Sequence, residues 1–355
     1  MKKIVIHSIP NRLSLLMVLI VVVSFLFGCQ KDMVDSPDNS ISDSNLEKSA
    51  MVPSSPQILV SGLQGASGST VGPDGALYVT EGVVGEISRV DPMTGDVTTF
   101  ASGFPPSLIG IGGVYDVTFI DETAYALVTV VDDPTLFPTG EINGIYRVDG
   151  PNSFSIIADI GAYNLAHPPT GFDFFVSTGV QYSIQTYHGG FLVTDGHLNR
   201  VLRVTLDGEI SEFKTFNNIV PTGLEVLGNT VLMAEAGPTP HFPENGKIVS
   251  FSPNSAAVNL VASGSPLLVD VEFGRGQTLF ALSQGFWEGK PEDAGAPANP
   301  DTGSLLKVNS DGTFSSVANG LDRPTSLEII ENTAYIVTLT GDILTIDNIA
   351  NAPFK

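Results

Sequence analysis

Carboxylates recur at fixed places in this sequence, and they are the side chains best suited to chemistry. Asp116 and Asp270 each stand two places before a position that Glu225, Glu272 and Glu328 hold in related segments. Gathered on one axis, Asp116, Asp270 and Glu272 would suit Ca²⁺, which takes oxygen ligands, or a metal-assisted hydrolysis in which they activate a water. A second column, Glu81, Asp195 and Glu235, closes segments rich in β-forming residues. A third group falls in long insertions: Asp132, Asp133, His241, Phe242, Phe286 and Trp287, the chain's single tryptophan. Aromatic rings beside acids suit an amphipathic contact, and they serve equally to pack a loop down. The chain has no EF-hand loop, HExxH, P-loop, GxSxG or Cys/His zinc spacing, and its 5 histidines are scattered. No cofactor is therefore expected, Ca²⁺ being the one ion these acids would suit, and binding is a better expectation than catalysis.

A repeating frame positions these residues. The stretch GGFLVTDGHLNRVLRV from Gly189 reads as two short strands around a tight turn. Its second strand returns as GEISRVD from Gly85, GIYRVD from Gly144, GKIVSFS from Gly246, GSLLKVN from Gly303 and GDILTID from Gly341. Its first returns as ALYVTE from Ala76, TAYALV from Thr123, TVLMAE from Thr230, TLFALS from Thr278 and TAYIVT from Thr333. One more strand precedes each pair and another follows most of them. The pattern predicts an all-β fold, a six-bladed β-propeller of four-stranded antiparallel blades. The last unit lacks its outer strand, and QILVSG from Gln57 matches the missing one. That N-terminal strand should close the ring and cover an edge that would otherwise invite aggregation.

Ahead of the frame, residues 1–28 carry Lys2, Lys3 and Arg12, then an apolar run and no acid, as a secretory leader does. The run ends Leu26-Phe27-Gly28-Cys29, which resembles the lipobox of bacterial lipoproteins, where the cysteine is lipidated. Cys29 is the only cysteine, so disulfides within the chain are excluded. Residues 29–55 are rich in Ser and lack aromatics, the composition of a solvated tether with a reach of about 25–30 Å. The expected organisation is a leader over 1–28, a tether over 29–55 and a propeller over 56–350. The expected location is the outer membrane, through the lipid anchor, on its periplasmic or cell-surface side.

With 16 basic and 38 acidic residues the formal net charge is -22. Nucleic acid is not an expected partner, and a monomer is the expected state. In a propeller built this way the connections of one face are tight turns, such as 72–75 and 311–312. The other face collects the long insertions 104–113, 132–143, 162–181, 237–245 and 284–302, and loops gathered on a rigid scaffold are where binding residues concentrate. A protein or small-molecule partner is expected there. Asp195 and the basic column Arg89, Arg147, Arg203 and Lys307 read as structural.

Two resemblances bear on function. Asp195-Gly196-His197-Leu198-Asn199-Arg200 resembles the NHL-type repeat, in which Asp and Arg tie a hairpin together. The region from Pro56 onward resembles the ScyD/ScyE family of exported propellers, on the segments VGPDGALYVTEG from Val71, the strand from Gly85, and PHFPENGKI from Pro240. That likeness implies an exported binding or scaffolding module and brings no established reaction with it. A rival is the gluconolactonase and regucalcin group, six-bladed hydrolases with a divalent metal in the channel. Its ligand places fall here at Ser67, Tyr115, Tyr182, Thr222, Val269 and Thr325, none of them a carboxylate. A lipid-anchored ligand-binding or scaffolding propeller is therefore the first expectation, a lactonase-type hydrolase the second, and a purely structural part of a surface assembly the third.

Overall fold

The second strand of each repeat is apolar in a run rather than in alternation because neighbouring sheets cover both of its faces. β1 (Gln57–Val60) leads the chain. Blade 1 follows as β2 (Ala66–Val71), β3 (Leu77–Glu81), β4 (Glu86–Val90) and β5 (Val97–Ser102), and blade 2 as β6 (Gly113–Ile120), β7 (Thr123–Thr129), β8 (Gly144–Gly150) and β9 (Ser153–Asp159). Blade 3 is β10 (Gln181–Thr186), β11 (Gly190–Asp195), β12 (Arg200–Thr205) and β13 (Ile210–Thr215). Blade 4 is β14 (Pro221–Leu227), β15 (Thr230–Glu235), β16 (Lys247–Phe251) and β17 (Asn259–Ser263). Blade 5 is β18 (Leu268–Gly274), β19 (Thr278–Ser283), β20 (Gly303–Val308) and β21 (Phe314–Leu321), and blade 6 begins β22 (Pro324–Ile330), β23 (Thr333–Thr338), β24 (Ile343–Asp347). Every residue of β3 and β11 is buried, whereas the outer strand β5 is exposed over its first half.

This computed structural model describes residues 52–253, 255–290 and 295–351. The leader, Cys29 and most of the tether lie outside the described residues. Six four-stranded antiparallel sheets form the propeller expected from the repeats, and their first strands touch in cyclic order around the axis. The ring closes as the sequence predicts. β1 adds to blade 6, pairing Gln57 with Thr345 and Ile58 with Leu344.

The core is divided among the six seams between blades. Tyr78, Ile87, Val117 and Tyr146 fill the seam of blades 1 and 2, and Leu192, Val201, Met233 and Phe251 that of blades 3 and 4. Val60 of β1 joins Leu77, Val79 and Ile343 in the seam where the ring shuts.

One element departs from expectation. The insertion read as loop from residue 162 begins as a short helix, α1 (Ile160–Ala166), capped at its start by the Asp159 carboxylate, which accepts from the Ala162 N–H at 2.8 Å. Seven residues are too few to show a helical period in the sequence, and α1 is held by contacts with blade 3, described below.

Candidate ligand-binding cleft

Asp116 and Asp270 do face the channel, on the innermost strands β6 and β18, with Glu272 and Glu328 beside them. Their oxygens are engaged. Asp116 accepts from the N–H of Val117 at 2.9 Å and, across the seam, from Ile184 at 2.8 Å. Asp270 repeats this three blades on, with Val271 at 2.9 Å and Leu327 at 2.8 Å. Each aspartate thus fastens its blade to the next. Burial, with help from the other aspartate across the axis, pushes Asp116 up to about 8, although its two N–H bonds oppose the rise. Burial likewise pushes Asp270 to about 7. Glu225, Glu272 and Glu328 are also raised, by burial first and, for Glu272 and Glu328, by neighbouring carboxylates. The channel cavities are small, about 20 and 40 Å³, room for a water or two. Among the described residues no three His, Cys, Asp or Glu side chains converge as metal ligands would.

The second column separates into two settled members and one free one. Glu81 accepts from the Gln64 N–H at 2.7 Å and the Ser88 hydroxyl at 2.5 Å. Asp195, fully buried, accepts from Val180 N, Leu198 N, the Asn164 amide and the Gln181 amide. Its tie to the hairpin is through the Leu198 backbone, not through Arg200 as the repeat motif suggested. Glu235 is only 4% exposed and accepts no hydrogen bond among the described residues. The reason lies in the next blade over. The N–H groups equivalent to those that serve Glu81 and Asp195 belong in blade 4 to Ile219 and Val220, and both donate to Asn199 Oδ1, at 2.8 and 2.9 Å. Burial raises Glu235 to about 7, with Lys247 opposing.

Glu235 lines a cleft of about 810 Å³ between the outer strands of blades 3 and 4. Arg200, at 1% exposure, forms part of its wall: the guanidinium donates to Asn164 Oδ1 at 2.7 Å, to the His167 carbonyl at 2.9 Å and to Glu212 at 2.7 Å. Tyr163 lies 5.6 Å from the guanidinium carbon. Helix α1 is therefore pinned to blade 3 through Arg200, and the segment after it brings Pro168, Pro169 and Phe172 over the cleft as one wall. Phe216, Ile219 and Leu260 supply apolar surface opposite, and Lys247 stands beside Glu235. Glu235 and Lys247 are directly paired residues of β15 and β16, so their side chains leave the same face.

The long-loop residues hold their own loops. Asp133 accepts from Thr135, Leu136, Ser177 and Thr178 backbone N–H groups and stays below the usual carboxylate range although burial opposes this. Asp132 accepts from the N–H of Thr139 and of Gly140, both at 2.8 Å. Trp287 is 5% exposed, packed with Ala236, Leu267 and Ala298 and touched edge-on by the His241 ring. It fastens the insertion rather than offering a contact surface. Phe242 and Phe286 remain exposed on that face. A smaller pocket of about 340 Å³ lies there, with His241 and His197 on its wall. Burial holds both imidazoles below their ordinary pKa. His197 Nε2 is occupied, accepting from the N–H of Phe175 and Val176 at 3.0 Å each.

Of the residues singled out in the sequence, the channel acids come together and Glu235 opens on the cleft. Lys247, Phe216 and the diverting role of Asn199 were not foreseen, because each depends on contacts across the seam of blades 3 and 4.

No protein-family model matches this chain, and no curated protein matches it. Among solved structures it is similar to virginiamycin B lyase from Staphylococcus aureus, at 15% identity and TM-score 0.51 over 82% of this chain and 98% of that one. It is similar to a gluconolactonase from Xanthomonas campestris, at 12% identity and TM-score 0.54 over 82% and 88%. It is also similar to the PQQ-bound aldose sugar dehydrogenase from Streptomyces coelicolor, at 15% identity and TM-score 0.54 over 83% and 98%. At these identities the likeness is one of fold. The chain is a six-bladed β-propeller of four-stranded blades.

Proposed function

We propose that this protein is an exported, lipid-anchored propeller of ScyD/ScyE type that binds a small amphipathic molecule in the cleft between blades 3 and 4. The observation that carries the reading is Glu235, a buried carboxylate with no hydrogen-bond donor, opening on a cavity of about 810 Å³. Ligand sites commonly occupy about 300–1,000 Å³ and combine apolar walls with a few placed polar groups. Its carboxylate faces the cleft with no protein donor, so a ligand that brings a donor there need displace only water. The lactonase-type alternative fits less well, since both oxygens of Asp116 and of Asp270 already serve the backbone.

Native mass spectrometry of protein purified from its own cell envelope tests the reading, with Leu260→Trp as the cleft-filling comparison. Leu260 is 62% exposed at the cleft wall, so the larger ring does not disturb the core. A bound small molecule on the wild type and its loss in Leu260→Trp is the expected result, and equal retention by both would overturn it. The anchor is tested apart from this. Cys29→Ser should leave a soluble or an uncleaved precursor, because the thioether to the lipid cannot form and stable attachment needs acyl chains; a variant that is still processed and still fractionates with the outer membrane would overturn the anchor.

A further inference from the structure

Glu235 and Lys247 are cross-strand neighbours on one face of blade 4, where Cβ atoms stand about 5 Å apart. Opposite charges so placed would ordinarily meet. Here they form no ion pair, and the Lys247 ammonium makes no hydrogen bond among the described residues, its attraction to Glu235 acting at longer range. The cleft therefore presents an acceptor and a donor side by side on its wall, neither bonded to another side chain. The other two charges on its wall, Arg200 and Glu212, are already joined to each other at 2.7 Å. Beyond Glu235 and Lys247 the wall is mixed: Thr170, Asn199, Thr215 and Asn217 alternate with apolar residues, and Phe172 and Phe216 offer two aromatic rings to the same space.

Resting on the cleft as the ligand site, we infer that the ligand is a zwitterion with an α-amino-acid head group on a large apolar body. The ammonium would lie on Glu235 and the carboxylate on Lys247, and the apolar body would fill the space between Phe172, Phe216, Ile219 and Leu260. A simple cation would leave Lys247 facing it without a partner. A simple anion would meet Glu235 in the same way, and an uncharged ligand would leave both charges without their full complement.

The test is calorimetric titration of the full chain with L-phenylalanine, phenethylamine, 3-phenylpropionate and L-phenylalaninamide. L-phenylalanine should bind at least tenfold more tightly than each of the three analogues. Glu235→Gln should weaken phenylalanine and phenethylamine and tighten 3-phenylpropionate, which no longer faces the acid. Lys247→Met should weaken phenylalanine and 3-phenylpropionate and tighten phenethylamine, which no longer faces the ammonium. If a variant fails to fold, the analogue series on the wild type still decides. Analogues that match phenylalanine, or four probes that all fail to bind, overturn the zwitterion. Leu260→Trp separates the two readings: loss of every probe without head-group discrimination sinks the zwitterion alone, and unchanged affinities for every probe sink the cleft as well.

Discussion

The Oδ1 atom of Asp116 occupies the space that a side chain on Gly68 would fill. Gly223 stands in the same relation to Asp270, so the seams between blades 1 and 2 and between blades 4 and 5 are built alike. The absent side chain is what lets each aspartate reach forward to the following blade. Gly68→Ala should displace Asp116 from the Ile184 N–H and lower stability by about 1–3 kcal/mol, the usual cost of orphaning a buried hydrogen-bonding group. Asp116→Ala should lose a similar amount, and the double variant should lose less than the sum, because the carboxylate contact is shared, but more than Asp116→Ala alone, because the new methyl still meets the Tyr115 carbonyl and Asp116 Cα. Denaturant midpoints measure all three, and full additivity would break the link drawn between the two residues.

Stability should fall as pH rises from about 4 to 8. Asp116 and Asp270 hold their protons in the folded protein up to about 8 and about 7, against an ordinary value of 3.8. Between those limits the folded chain binds more protons than the unfolded one. The acids' contribution is therefore complete below about pH 4 and gone above about pH 8. Asp74, Asp133 and Asp149 shift the opposite way and act only at lower pH. Melting temperatures across this range should decline by several degrees, and by less in Asp116→Ala. A rise over the same interval would contradict the raised values.

Glu235 should cost stability in the absence of ligand. Its carboxyl is raised from 4.5 to about 7 by burial, so Glu235→Gln should stabilise the protein by about 1–3 kcal/mol at pH 8 and leave it nearly unchanged at pH 5, where the acid is already neutral. Asn199→Gly keeps the left-handed backbone at φ 54 and removes the Oδ1 acceptor. In that variant the Ile219 and Val220 N–H groups become available to Glu235, and the pH 8 advantage of the glutamine should shrink. An advantage of the same size with and without Asn199 would show that the diverted N–H groups do not govern Glu235.

Removing residues 57–60 should destabilise all six blades together, since Val60 belongs to the closing seam and β1 supplies the outer strand of blade 6. Ile58→Thr, at a residue 64% exposed, should change stability by less than about 0.5 kcal/mol. The melting transition of the truncated chain is the measurement. A midpoint equal to that of the intact chain would mean that blade 6 needs no fourth strand.

The blades were legible in the sequence because strands such as β11 are buried on both faces and read as apolar runs at a regular spacing. The closing role of β1 was legible for the same reason, as a copy of a unit missing elsewhere. Helix α1 was not, since its stability comes from Arg200 reaching Asn164 rather than from a period of its own. Nor was the freedom of Glu235, whose sequence environment matches that of Glu81. What sets them apart is Asn199, a residue of another blade that takes two N–H groups away. The burial of Trp287 likewise depends on Leu267 and Ala298, partners that loop composition does not reveal.

The sixth blade joins residues that synthesis separates: Thr345 and Gln57 are 288 positions apart. The first five blades can each form from neighbouring segments while the chain is still emerging. β1 must wait for β24 with its backbone groups unpaired. Contacts of such long range carry a loop-closure entropy that local hairpins do not, and they slow folding. Ring closure thus carries the largest sequence separation of the strand pairings, and wherever β1 is not yet paired, it and β24 both present open edges to which another copy could add.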